Sequence, residues 1–171
     1  LYAGAKKNLA PAGLTIVIIN KDLLNRHSNL IPSVFEYNKQ AEKDSMYNTP
    51  PTFQIYMLKL TLEWIESIGG LVEVEKQNKY KADLLYKTLE ESKIFKLHAS
   101  IDSRSNMNVT FRTNNEELDN KFISEAKENG LLSLKGHRIT GGMRASIYNM
   151  SPIDIVNKLC EFIEKFDKEN R

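Results

Sequence analysis

The 171 residues are enough for one ordinary domain or a small domain with extensions, and with 41% hydrophobic and 27% charged residues the composition is that of a globular, soluble protein, neither disordered nor membranous. A net charge of +2 without any lysine/arginine block leaves no electrostatic footprint for nucleic acid, and no apolar run approaches the ~18 residues of a membrane span. Cys160 is the single cysteine, which excludes an intrachain disulfide, fits a cytoplasmic compartment and, within an apolar helical pattern, reads as a buried inert thiol.

The chain opens on LYAGAKKNLAPAG. Ala3, Gly4 and Ala5 allow a close backbone approach, two lysines follow at Lys6 and Lys7, and Ala10 to Gly13 reads as a turn. Leu14 to Ile19 is apolar and predicts one buried strand. A lysine between a small-residue loop and a buried strand suits chemistry that needs a partly desolvated amine, because a neutral amine can add to an aldehyde. With no initiator methionine and few partners for its first strand, the chain reads as the C-terminal part of a longer protein.

Lys21 to Asn25 predicts a short helical turn, and His27 to Thr49 is irregular, the length of a functional loop. Pro51 or Thr52 opens a helix that runs to Ile68 and stops at Gly69-Gly70. Phe53, Tyr56, Met57, Leu60, Trp64, Ile65 and Ile68 spread over most of its faces, which predicts burial against more than one neighbour. A lysine-rich helix over Val72 to Ser92 has Tyr80, Leu84, Leu85 and Leu89 as its inner stripe. Strands are predicted at Ile94–Leu97 and, with a clean period of two, at Asn108–Arg112.

Asn114, with Glu117 in the capping-box position, predicts a helix that buries Leu118, Phe122, Ile123 and Ala126 and ends at Gly130. Further strands are expected at Leu131–Leu134 and Met143–Tyr148. Ser151 as N-cap with Pro152 at the first position starts the last helix, whose stripe is Ile153, Val156, Leu159, Cys160, Ile163 and Phe166. The tail from Lys168 is expected to fray. Helices and strands mixed in this order after residue 71 predict a small α+β domain, a sheet covered on one face by helices.

Three clusters suit anionic groups. The first is Lys7 in its loop, and the second is YNTPPT over 47–52, where amide and hydroxyl donors meet a helix N-terminus with orphan backbone N–H groups. The third is Lys135-Gly136-His137-Arg138 with Gly141-Gly142-Met143-Arg144, where two arginines and a histidine in one hairpin could hold a doubly anionic substrate. His27, His98 and His137 are dispersed, so with one cysteine no metal spacing emerges, and GxGxxG, GxxxxGK[ST] and HExxH are absent.

The strings YAGAKKN, PAGLTIVI, DSMYNTPPTF, KGHR and GGMRASIYN, in this order, closely resemble the phosphoserine aminotransferase family, fold-type I pyridoxal-phosphate enzymes of class V. The resemblance covers the whole chain and implies an α/β fold overall, the C-terminal part of such an enzyme, mostly its small α+β domain preceded by the end of the large one. It places the end of the large cofactor domain and a dimer loop at 1–50, a connecting helix at 51–70 and the small α+β domain at 71–171. It implies Lys7 as the lysine that binds pyridoxal phosphate covalently, with Lys6 standing where relatives carry glutamine. It assigns Asn48 and Thr49 to the cofactor phosphate of the neighbouring subunit in a homodimer, Arg144 to the substrate carboxylate, and His137 and Arg138 to the substrate phosphate. The implied reaction is amino transfer between phosphoserine and 2-oxoglutarate, giving 3-phosphohydroxypyruvate and glutamate in serine synthesis; some relatives take 4-phosphohydroxythreonine in pyridoxine synthesis. The stacking ring, the aspartate on the ring nitrogen and further phosphate ligands lie in the family's N-terminal portion, so this chain alone is expected to be inactive. The competing readings are another class-V aminotransferase and a non-catalytic dimerisation or phosphate-binding module.

Overall fold

A computed structural model describes residues 1–26, 28 and 30–171, so His27 lies outside the described residues. The chain forms two compact units, Leu1–Ser67 and Ile68–Arg171.

The first unit begins with an antiparallel pair, β1 (Tyr2–Gly4) and β2 (Thr15–Val17), in the register Tyr2↔Val17, Ala3↔Ile16 and Gly4↔Thr15. A 3-10 turn at Lys21–Leu23 follows, capped by the Asn20 side chain, which accepts from the Asp22 N–H at 3.0 Å. The segment expected to be irregular contains a second 3-10 turn, Ser33–Phe35, and a short helix α1 (Tyr37–Glu42). Six residues without glycine or proline sustain one and a half turns, and Asp44 (φ 50°) and Ser45 (φ 67°) end them in left-handed conformations. The helix α2 (Thr52–Ser67) starts where the proline pair predicts.

Two expectations for this unit fail in the same way. The Leu14–Ile19 strand is shorter and is not buried, with Val17 38% and Ile18 65% exposed. On α2 only Thr61 and Ile65 are buried, while Phe53, Ile55, Tyr56, Leu60 and Leu62 are exposed. Among the described residues of 1–67, Ala5 and Ile65 are the only buried apolar side chains. A two-stranded ribbon and one long helix are too few layers to cover so much apolar surface.

The second unit is self-contained. It comprises α3 (Gly70–Glu91), β3 (Lys96–Leu97), β4 (Asn108–Arg112), α4 (Glu116–Glu128), β5 (Met143–Ser146) and α5 (Ile153–Glu169). The strands form one antiparallel sheet in the order β3-β4-β5. Alternation along β4 and β5 turns Val109, Phe111, Met143 and Ala145 to one face, where Leu85 and Leu89 of α3, Phe122 and Ala126 of α4 and Val156 and Ile163 of α5 close the core. Phe122 is fully buried and meets Phe95, Phe111 and Phe166 edge-on, with ring centroids 5.0, 5.9 and 5.1 Å away.

The corrections here are local. Tyr80 is 62% exposed, and Tyr86 takes the interior place, its hydroxyl donating to the Ser105 carbonyl at 3.0 Å. The stripe was hard to read because Lys81 lies on it, 4% exposed, its Nζ donating to the carbonyls of Tyr148, Asn149 and Ser151 at 2.8, 3.3 and 3.2 Å. Burial lowers the pKa of this amine. Asn115, not Asn114, caps α4 by accepting from the Glu117 N–H at 2.8 Å, and Leu118 and Ile123 are only partly buried. Asp119 fixes the β4–α4 joint, accepting from the N–H and hydroxyl of Thr113 at 2.7 and 2.8 Å.

Leu131–Leu134 is not a strand. The Leu131 N–H still closes the end of α4 on the Ala126 carbonyl at 2.9 Å, and Ser133 turns left-handed (φ 63°), so only a bridge between Lys135 and Met143 joins the sheet. Pro152 rather than Ser151 occupies the N-cap of α5, without a side-chain cap. The tail does not fray at Lys168: α5 runs to Glu169, and Arg171 donates to Asp167 Oδ2 at 2.9 and 2.6 Å. Asp167 Oδ1 accepts from the Ser92 hydroxyl and from the Lys93 and Ile94 N–H groups at 2.6, 2.9 and 3.1 Å. Burial would raise its pKa, but these bonds and Arg171 outweigh that and bring it down to about 2. Cys160 is buried, and burial pushes its thiol pKa up, as suits an inert side chain.

Candidate functional site

The residues singled out from the sequence divide between the two units. In the first, the segment after β1 folds into a tight loop: the Ala5 carbonyl accepts from the N–H groups of Leu9 and Ala10 at 3.0 and 2.9 Å, and the Lys7 N–H donates to the Ala10 carbonyl at 3.0 Å. Ala5 is 1% exposed and its N–H is tied to the Leu14 carbonyl at 2.9 Å, so the loop closes against the start of β2. Lys7 is held at φ 77°, a left-handed conformation that a lysine adopts only at a cost of about 1 kcal/mol. Lys6 and Lys7 are both exposed in this chain, so the expected desolvation of the amine is not supplied by residues 1–67.

Asn48 and Thr49 lie in the exposed turn immediately before Pro50, Pro51 and α2. The first turn of α2 is joined to the loop carrying Lys7: Gln54 Nε2 donates to the Ala12 carbonyl at 3.2 Å. Gly13, at φ 110°, has the Gln54 amide 3.4 Å from where a Cβ would stand, which keeps this junction close. Gln54 belongs to no motif that would single it out in sequence. Its only signal is position, two residues inside the helix that follows Asn48 and Thr49.

In the second unit the hairpin from Leu134 to Arg144 carries the other three residues. Arg144 N–H donates to the Leu134 carbonyl at 2.7 Å and Gly136 N–H to the Gly142 carbonyl at 2.8 Å. The tip closes where the His137 carbonyl accepts from Thr140 and Gly141 at 3.1 and 2.8 Å. Gly136 and Gly142 permit this: a Cβ at Gly136 would strike the Gly141 carbonyl, and one at Gly142 (φ 63°) would lie 2.7 Å from the Phe111 carbonyl. His137 and Arg138 are exposed on the tip, whereas Arg144, on β5, is half-buried and its Nε is buried without a protein partner.

Arg144 points from the sheet face opposite the helices. The register Thr110↔Arg144 and Lys96↔Arg112 puts Lys96, Thr110, Arg112 and Arg144 on that face. His98 joins them, since its N–H donates to the Thr110 carbonyl at 3.1 Å and its Nδ1 is 2.7 Å from Arg112 Nη2. The hairpin and sheet end enclose a cleft of about 730 Å³ lined by Arg112, Lys135, His137 and Arg138 among others, next to a pocket of about 40 Å³ shared by His98, Arg112, His137 and Arg144. Among the described residues, Arg112, Lys135, Arg138 and Arg144 form no ion pair. Glu116 and Asp119 also line the cleft, but neither pairs with these cations, and cations left without a paired carboxylate make an anion site. Arg112 and His98 escaped sequence reasoning because they are fourteen residues apart and meet only through the β3–β4 pairing.

No group of three or more metal-ligating side chains is present among the described residues, and none of the described helices is long and apolar enough to cross a membrane. The model of the aminotransferase class-V family matches residues 1–159. A phosphoserine aminotransferase of Haemophilus ducreyi is 52% identical over 171 residues, all of this chain and 47% of that protein. The solved phosphoserine aminotransferase of Bacillus circulans subsp. alkalophilus superposes with a TM-score of 0.95 at 42% identity, over 99% of this chain and 47% of that one. A pyridoxal-phosphate-bound phosphoserine aminotransferase of Trichomonas vaginalis gives a TM-score of 0.90 at 36% identity, over 95% and 47%. An alanine–glyoxylate aminotransferase of Nostoc, 17% identical with a TM-score of 0.74, shares the fold alone. The chain thus spans about half the length of the relatives it matches. It belongs to the class-V aminotransferase family, with the fold of the C-terminal portion of such an enzyme.

Proposed function

We propose that the full-length protein is a phosphoserine:2-oxoglutarate aminotransferase that uses pyridoxal phosphate, and that this chain supplies its covalent lysine and its substrate-anion hairpin. The observation that carries the reading is the cationic cleft at the 134–144 hairpin, unneutralised by any ion pair among the described residues, on a chain about half identical to phosphoserine aminotransferases. A substrate with both a carboxylate and a phosphate needs this much positive charge; serine or alanine does not.

The donor set fits the cofactor. Lys7 offers an exposed primary amine for its aldehyde, and the Thr49 hydroxyl and Asn48 amide, exposed beside a helix N-terminus, suit a phosphate. When bound, pyridoxal phosphate supplies the electron sink for the reaction. Lys7 Nζ holds the cofactor and, once released, takes the proton from the substrate Cα and returns it on the other side of the transfer. The left-handed backbone at Lys7 fixes the direction in which its side chain leaves the loop, a constraint a freely rotating surface lysine would lack. Arg144 binds the substrate α-carboxylate bidentately, and His137 and Arg138 bind the phosphate. Glutamate and 2-oxoglutarate place their two carboxylates on the same cations.

The exposed apolar surface of 1–67 suits cover by the rest of a large domain and by the second subunit of a homodimer, in a cytoplasmic enzyme. Turnover of phosphoserine against serine and alanine by the full-length protein tests the substrate. The reading expects phosphoserine to lead by orders of magnitude and Arg138→Gln to raise its KM at least tenfold; comparable turnover of serine or alanine would contradict it.

A further inference from the structure

Among the described residues, Arg112 is the one arginine or lysine that lines both the large cleft and the small pocket of the sheet end, as His137 does, so it borders the space of Arg138 and that of Arg144. Its position is built. On β3 it is paired with Lys96, a like-charge neighbour that costs stability rather than adding to it. The next position in register on the β5 side is Gly142, whose missing side chain leaves Arg112 unobstructed: a Cβ there would be 3.0 Å from Arg112 Cβ. An arginine can only donate, so His98 Nδ1 accepts at 2.7 Å and the imidazole carries its proton on Nε2. The neutral ring holds the guanidinium without neutralising it, which a carboxylate in the same place would do. The two acids of the cleft do not alter this: neither Glu116 nor Asp119 pairs with Arg112, and Asp119 is engaged by Thr113.

We propose that Arg112, oriented by His98, is a third cation of the phosphate subsite formed with His137 and Arg138. It rests on the phosphate assignment of the hairpin made above and extends it to a residue outside the recognisable motifs. A phosphate dianion has enough oxygens for two guanidiniums and an imidazole together, and its arrival offsets the repulsion that Lys96, Arg112 and Arg144 impose on one sheet face. His98 acts as a positioning residue, since it touches Arg112 rather than the anion.

The test is titration of the 171-residue chain with inorganic phosphate at constant ionic strength, followed by NMR of arginine side-chain Nε–Hε signals and backbone amides. The inference expects saturable shifts of Arg112, a roughly tenfold weaker affinity in Arg112→Gln, partial recovery in Arg112→Lys, and a smaller loss in His98→Ala. Unchanged amide signals of the Phe122 core establish that each variant is folded. Loss of affinity in Arg138→Gln with none in Arg112→Gln overturns the inference and leaves the assignment of the hairpin standing. Loss in Arg112→Gln with none in Arg138→Gln overturns the assignment of the hairpin, and with it the shared subsite. Absence of saturable binding in the parent chain overturns both.

Discussion

The two units of this chain treat apolar residues in opposite ways. Residues 68–171 bury five phenylalanines around one sheet, whereas 1–67 leave Phe35, Phe53, Tyr56 and Ile18 exposed and, among the described residues, bury only Ala5 and Ile65 of their apolar side chains. Both segments read as hydrophobic in sequence, yet only one has enough layers to close a core over them. The residues of the proposed chemistry are divided in the same way. The cationic hairpin is carried by the self-contained unit and needs no neighbour to hold its shape, while Lys7 lies in the unit that lacks cover.

The largest expected effect is on the closed core. Phe122→Ala removes edge contacts to three other rings and should cost about 4 kcal/mol in denaturant melts followed by far-UV circular dichroism. Phe53→Ala, on the 62% exposed α2 residue, should change the same melt by no more than ~0.5 kcal/mol. Comparable losses from both would erase the contrast between the units.

Asp167 sharpens it further, because it ties the end of α5 to the α3–β3 turn. Asp167→Ala should cost about 2–3 kcal/mol, while Asp167→Asn, which keeps the oxygen that accepts from Ser92, Lys93 and Ile94, should cost clearly less. Its pKa of about 2 lies below the ordinary value of 3.8, so its contribution is fully present above pH ~4 and is lost as pH falls towards 2. Acid titration of stability in parent and Asp167→Asn should show the parent losing more over that window.

Gly142→Ala should cost about 1–2 kcal/mol, from the left-handed φ and the Phe111 carbonyl 2.7 Å away, and should displace the hairpin amides in NMR spectra. The smallest effect is at Lys7: glycine there relieves the strain at φ 77° and should not destabilise the chain, although it removes the amine on which the proposed chemistry depends.

Where a local rule and the tertiary environment agree, the sequence was readable. The alternation over Asn108–Arg112 and the stripe of Val156, Leu159, Ile163 and Phe166 each correspond to an element found as expected. Reading failed where a polar residue takes an interior place, as Lys81 does by finding three carbonyls, or where apolar residues lack a partner layer, as on α2. The site shows the same division. Lys7, Asn48, Thr49, His137, Arg138 and Arg144 could be chosen because they sit in recognisable strings. Arg112, His98 and Gln54 owe their places to strand pairing and to a single long-range hydrogen bond, neither of which leaves a mark in local sequence.

The proposed chemistry turns on Lys7, not its neighbour Lys6, carrying the cofactor. Borohydride reduction of the full-length protein with pyridoxal phosphate, followed by peptide mass spectrometry, tests it directly. A stoichiometric pyridoxyl adduct is expected on Lys7, disappearing in Lys7→Ala and persisting in Lys6→Ala. An adduct on Lys6, or none on either lysine, would contradict it.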